Sequence, residues 1–273
     1  MNQILVASDF SACAGNAMEY ALGLAKVLNL QVCVIHAIGV NEGVDNNIFN
    51  AIYIEDYHKN KREALTRWAG AYTNKEEYLN VPVLSTVDVG TVAIVISKYI
   101  ESNPVELLVL GTMGSTGIAG LFGSNASTVL LKSKIPTLIV PLESKFIINP
   151  VITLATDFPS SLSAEDVIAL NEIILAFKIS RLNVVNVIEG PSWKINEAGE
   201  NKLRTLINHA ELDFKYINEE STTEGIMNFI NSSNTDILCL VKHHHNLVYR
   251  FFNKSTVNQV VNRAIKAILV LHE

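Results

Sequence analysis

Residues 105–127 read VELLVLGTMGSTGIAGLFGSNAS: an apolar run, Val105 to Leu110, stops at Gly111 and gives way to a glycine-rich segment. Five of the thirteen residues from Gly111 to Gly123 are glycine. Glycine gives up more backbone freedom on folding than any other residue, so its concentration just past a buried strand points to close approach of something to the main chain. NASTVLLKSK (125–134) then resumes a helical spacing. Strand, flexible turn and helix start together aim free amides and the positive end of a helix dipole at one spot, which is the geometry of an anion site. In that arrangement Gly111 ends the strand, Gly114 turns the chain, and Gly123, Ser124 and Asn125 lead into the helix. Ser124 is suited both to cap the helix and to hydrogen-bond a phosphate. Two better-known phosphate loops do not fit. No lysine follows the second glycine as in a Walker-type loop, and the G-x-G-x-x-G spacing of a dinucleotide fold is missing. Taken by themselves, the glycines are equally compatible with a plain surface loop.

Working outward, short apolar runs alternate with longer amphipathic segments. QILVAS (3–8), QVCVIHAI (31–38), VPVLSTVDV (81–89), ELLVLG (106–111) and IPTLIVP (135–141) read as strands. Helical patterns lie between them, among them a long one over 52–79. Strands that alternate with helices predict a parallel sheet covered on both faces. The same order then restarts. PVITLATDF (150–158) matches QILVASDF, placing Asp157 148 residues after Asp9. LNVVNVI (182–188) matches VCVIHAI, and TDILCL (235–240) matches VELLVL at an offset of 130 that holds without a gap through IKAILVL (265–271). One fold used twice is the reading: an α/β chain of two tandem Rossmann-like domains, 1–143 and 150–273, joined by SKFIINP (144–150). The alternative is one large α/β domain, and the DF that follows each half's opening strand argues against it.

Composition narrows the classes. At 273 residues, 49% hydrophobic and 18% charged, each half has enough apolar surface for a core. A net charge of −6 gives no general pull toward nucleic acid or anionic lipid, and the aromatics form no single-strand stacking platform. No apolar run approaches membrane-spanning length, and MNQILVASDF lacks a basic stretch ahead of a signal-length apolar one. The three cysteines, Cys13, Cys33 and Cys239, are odd in number and lack metal-type spacing, which suits a reducing, cytoplasmic setting. No nucleophile–base pair stands out, so no catalytic residue is assigned.

In a doubly wound sheet the ends of strands one and four flank the crevice where ligands bind. Asp9 ends strand one and opens a helix: as an N-cap it would hold orphan amides, and as a binding group it would meet an adenine or ribose edge. With ILVASDFS, VIHAI and LLVLGTMGSTGIAGLFGSNASTVLLKSKIPTLIVP in view, the chain resembles the universal stress protein family in its tandem, two-domain form. The resemblance covers nearly all of 1–143 and more faintly 150–273. It implies a five-stranded parallel sheet in each domain, order 3-2-1-4-5, with helices on both faces. It also implies dimer-like pairing through the fifth strands, either between two chains or between the two domains of one. For the first domain it implies ATP, or ADP or AMP, with Mg²⁺ on the phosphates. Gly111, Gly114, Gly123 and Ser124 take the positions of the family's G-2x-G-9x-G-[ST] pattern, Asp9 the adenine-side carboxylate, and Ala37 the second-strand main chain that meets the base. Eight residues, 115–122, stand where that pattern has nine.

The second copy replaces the loop. At the offset of 130, Gly111 becomes Val241, Gly114 becomes His244, Gly123 becomes Asn253 and Ser124 becomes Lys254. The second domain is therefore expected not to bind ATP in the family's way. His243 to His245 are adjacent in sequence and do not converge as an i, i+4 pair does, so they read as a polar loop rather than a metal site. The resulting expectation is a nucleotide-binding stress-response or signalling protein with a protein partner that the sequence does not name. A weak Mg²⁺-dependent ATPase and a nucleotide-free interaction module are the alternatives.

Overall fold

The structure is a computed structural model that describes residues 2–39, 42, 51–113, 129, 133–158, 161–190, 195–242, 259–261, 263 and 265–272. Its first strand, β1 (Gln3–Ala7), has no polar face: Ile4 and Val6 point to one side of the sheet, Leu5 to the other, all fully buried. Such a strand belongs in the middle of a covered sheet. It pairs in parallel with β2 (Gln31–Ile38) and β4 (Val105–Thr112). Beyond them lie β3 (Val83–Val89), parallel to β2, and β5 (Thr137–Pro141), parallel to β4. Helix α1 (Ala12–Leu28) crosses under β1, β4 and β5 and is buried along most of its length. Asn29 ends it in the left-handed conformation that a helix C-terminus favours. Helix α2 (Ala51–Thr73) covers β3 on the same side, with Leu65 and Ala69 inward. Helix α3 (Val92–Ser102) covers the opposite face. The long helical pattern predicted over 52–79 breaks earlier, and a short 3-10 turn, Glu76–Tyr78, follows.

The second half repeats the plan. In chain order it comprises β6 (Ile152–Ala155), α4 (Ile168–Ala176), β7 (Arg181–Ile188), α5 (Glu197–Leu206), β8 (Glu211–Asn218), α6 (Thr222–Ser232), β9 (Ile237–Lys242) and β10 (Ala267–His272). The two five-stranded halves, each of order 3-2-1-4-5 counted within itself, merge into one ten-stranded sheet, β3-β2-β1-β4-β5-β10-β9-β6-β7-β8. All neighbours within a half are parallel, and the halves meet antiparallel: Thr137 faces Val270, Leu138 faces Leu269 and Ile139 faces Ile268. Pairing of the fifth strands is thus satisfied inside one chain. The fifth-strand edges of the two halves face each other, leaving β3 and β8 at the rims of the described sheet.

On the α1 side the core runs continuously from one half into the other. Tyr20, Phe146 and Phe177 step across the junction with ring centroids 5.6 and 6.0 Å apart. Asn16 on α1 ties the connecting segment down. Its Nδ2 donates to the carbonyls of Pro141 and Ser144, each at 2.8 Å, and its Oδ1 accepts from Lys145 Nζ at 2.8 Å.

Candidate functional site

Past Ala7, β1 leaves its neighbours in a tight turn. Ser8 still joins the ladder, donating its N–H to Ile35 O at 2.9 Å. Its carbonyl accepts from a side chain of β2 instead, His36 Nδ1 at 2.8 Å. Phe10 N–H donates to Ser8 Oγ at 3.1 Å, and Phe10 takes a left-handed φ of 65°. Its ring is held against His36 at 4.6 Å and Trp68 at 6.1 Å between centroids. The turn delivers the chain into α1 with Ser11 as N-cap, whose Oγ accepts from Ala14 N–H at 3.2 Å. Asp9 is therefore not the cap. Its Oδ1 accepts from Ser11 N–H at 2.9 Å, and no described residue donates to Oδ2.

Between the C-terminal ends of β1 and β4 lies a cavity of about 390 Å³, within the range of small-molecule sites. Asp9, Ala37, Gly111, Cys13 and Met113 line it, and α3 closes the far wall with Val92, Val95 and Ile96. Strand alternation fixes what Ala37 offers. Ile35 turns its carbonyl toward β1, so Ala37, two residues on, turns its main chain the same way, past the point where β1 has ended. Asp9, Ala37 and Gly111 thus line one crevice. Gly114, Gly123, Ser124 and Asn125, like His243 to His245, lie outside the described residues.

Gly111 has a structural reason of its own. A Cβ there would stand 2.3 Å from the carbonyl oxygen of Cys13 and 3.0 Å from Ala14 N, both backbone atoms of α1's first turn. The glycine lets α1 begin hard against β4, whatever else it admits. Cys13 offers no ready nucleophile. Burial, then Asp9 and Glu143, push its thiol pKa up, and its Sγ lies 3.2 Å from Met113 Sδ. The apolar wall of α3 was readable in principle from the helical spacing of Val92, Val95 and Ile96. Among the described residues no cluster of three or more His, Cys, Asp or Glu is placed to hold a metal ion, and no helix is long and apolar enough to cross a membrane.

The fold is a doubly wound α/β unit, used twice, with a ligand-sized crevice at the switch point of its first copy. The profile of the Universal stress protein family matches residues 1–141, and the chain belongs to that family. A universal stress protein from Archaeoglobus fulgidus is similar over the whole length. Its TM-score is 0.75 at 17% identity, with 98% of this chain and 97% of that one covered. A putative universal stress protein from Pseudomonas aeruginosa superposes with a TM-score of 0.56 at 12% identity, over 99% of this chain and 92% of that one. Both likenesses speak to the fold. No curated protein matches the sequence.

Proposed function

We propose that the chain is a cytoplasmic stress-response or signalling protein that binds an adenine nucleotide, ATP or its di- or monophosphate, in its first unit. That unit is residues 1–143; the second, 150–273, carries no such site and supplies pairing surface and contacts to a protein partner. The observation that carries the reading is the cavity itself, with a carboxylate and the β1-facing main chain of Ala37 on one wall and apolar side chains on the other. Asp9 Oδ2 suits the N–H or O–H groups of an adenine or ribose, and the main chain of Ala37 suits the hydrogen-bonding edge of a base. The side chains of α3 give the base an apolar face.

Polyphosphate would then reach toward Gly114, Gly123, Ser124 and Asn125. The described lining includes a carboxylate and no lysine or arginine, so the phosphate charge falls to backbone amides, hydroxyls and a divalent cation such as Mg²⁺. The cation's contribution is to neutralise the phosphate oxygens, and the chain's is to hold and orient them.

Mass spectrometry of the purified, denatured protein, followed by calorimetric titration with Mg·ATP, tests the reading. Nucleotide near one per chain, or saturable uptake at one site, supports it. An empty protein that also fails to take up ATP, ADP and AMP overturns it. The packing role of Gly111 favours one rival, a nucleotide-free interaction module in which glycine serves helix–strand contact alone. That rival predicts the second result.

A further inference from the structure

His36 and its counterpart in the second half make the same bond with different chemistry. In the first half His36 Nδ1 meets Ser8 O at 2.8 Å; in the second, Asn186 Nδ2 meets Thr156 O at 2.8 Å. The surroundings repeat as well. Ser8 N–H donates to Ile35 O at 2.9 Å, and Thr156 N–H to Val185 O at 3.0 Å. Phe10 N–H meets Ser8 Oγ at 3.1 Å, and Phe158 N–H meets Thr156 Oγ1 at 2.9 Å. Both phenylalanines sit in the left-handed region, at φ 65° and 57°. An aromatic residue resists that conformation, so it persists only where its neighbours over-determine it. A side-chain N–H aimed at the carbonyl two residues earlier is the constraint common to both copies.

We infer that His36 is a positioning residue for the proposed nucleotide site. A carbonyl oxygen only accepts, so Nδ1 carries the proton and the imidazole acts as a donor. That bond fixes the carbonyl of Ser8, the fixed peptide sets the left-handed turn at Phe10, and the turn holds Asp9 at the cavity with Oδ1 on Ser11 N–H. The ring does not have to touch the ligand. Its Nε2 is buried with no hydrogen-bond partner among the described residues, and 9% of the residue is exposed. What the turn requires is one N–H at one place, and an asparagine side chain meets that need in the second half.

The inference rests on the nucleotide reading for its effect on affinity, and its test separates the two. Two variants divide donor from volume. His36→Asn keeps the N–H and loses the ring, as nature does at Asn186; His36→Leu keeps bulk against Phe10 and loses the N–H. By Mg·ATP titration, His36→Leu weakens binding by roughly tenfold, the worth of one hydrogen bond, and His36→Asn stays within about twofold of the unaltered chain. The thermal midpoint runs the other way, with His36→Asn the less stable because it gives up ring packing. Amide hydrogen exchange of Phe10 and Ser11, read by NMR without ligand, reports the turn directly: fast in His36→Leu, protected in His36→Asn. Should His36→Leu fail to fold, His36→Ala supplies the same donor-free comparison. Equal loss of affinity in the donor-bearing and donor-free variants, or full protection of Phe10 and Ser11 without the donor, overturns the inference. A chain that takes up no nucleotide at all removes the proposed function; the exchange pattern then decides the positioning role by itself.

Discussion

At the end of β1 and at the end of β6 the chain makes the same turn, and a few residues later the two halves diverge. In the first, α1 starts at Ala12, directly after the turn. In the second, the first helical geometry described after β6 is the 3-10 turn Glu165–Val167, with α4 beginning at Ile168. That delay changes what the neighbouring strand can carry. Where α1 starts early its backbone fills the space beside β4, and Gly111 has no room for a Cβ. At the equivalent place on β9 stands Val241, buried to 2% exposure. A second exchange lies at the end of the next strand. Gly39 follows β2, whereas Glu189 follows β7 and accepts from both N–H and Oγ1 of Thr222, each at 2.7 Å, at the start of α6. The second half thus brings its own carboxylate to a helix N-terminus. The frame of the fold depends on bonds local to strand ends, which both halves keep. The crevice depends on where helices begin and what closes them, and there the halves differ.

The harshest way to break this comparison is to give β4 the residue of β9. Gly111→Val places carbon 2.3 Å from the Cys13 carbonyl, so α1 must shift or unwind at its first turn. The expected cost is about 3 kcal/mol, or roughly 6–12 °C in thermal midpoint for a chain of this size. Nucleotide uptake should fall with it. A Gly111→Val chain that melts with the parent would mean that α1 does not hold β4 to glycine, and the account of Val241 would fail too.

Next in size is the paired removal of the two aspartates. Asp9→Ala should weaken Mg·ATP binding by about 10- to 100-fold, the worth of a charge-assisted hydrogen bond. Asp157→Ala should leave it unchanged. Equal effects would place binding in both halves or in neither. A smaller effect, on stability alone, is expected at the second half's helix start. Glu189→Ala strips two short bonds from Thr222 and should cost about 1–2 kcal/mol. In calorimetry that is a drop of roughly 2–8 °C. Among the described residues the first half shows no such clamp, and Thr91 caps α3 by accepting from Ile94 N–H at 3.5 Å.

Much of this was legible in the residues. β1, β2, β4 and β5 announce themselves because strands buried on both faces read as largely apolar runs, whereas β7, interrupted by Asn183 and Asn186, was found by its match to β2. β8, ELDFKYIN, carries no such run, since a rim strand is half exposed and alternates polar with apolar residues. Asp9, Ala37 and Gly111 fall at one crevice because topology places the ends of strands one and four side by side. What the residues did not disclose was the reason for Gly111: steric exclusion by Cys13 O is a contact across about a hundred residues, and no local pattern encodes it. The role of Ser11 as helix cap was hidden by a competing one, because Asp9 two residues earlier is an equally good cap by type. The Ser8–His36 latch becomes visible only when the two copies are superposed, for histidine and asparagine share no signature beyond a side-chain N–H.

The mildest prediction concerns the seam between the halves. The helix ends match through Leu30 N–H to Ala25 O and Ile179 N–H to Ile174 O, so the buried Leu24 of α1 answers to Ile173 of α4, and Gly23 answers to Glu172. Partial burial raises its carboxyl pKa, and Glu106 on β4 of the other half raises it further. The folded chain therefore holds the Glu172 proton more tightly than the unfolded chain does. The stability this brings is present at acid pH and disappears as pH climbs through the raised value, leaving a small penalty at neutrality. Glu172→Gln mimics the protonated form. It should raise the thermal midpoint at pH 7 by about 1–2 °C, within the half kilocalorie usual for surface changes, and bring no gain at pH 4. A gain that persists at pH 4 would point to packing instead of charge. No gain at pH 7 would mean that the two carboxylates do not meet across the β5–β10 junction, and that the seam is looser than the shared core beneath it suggests.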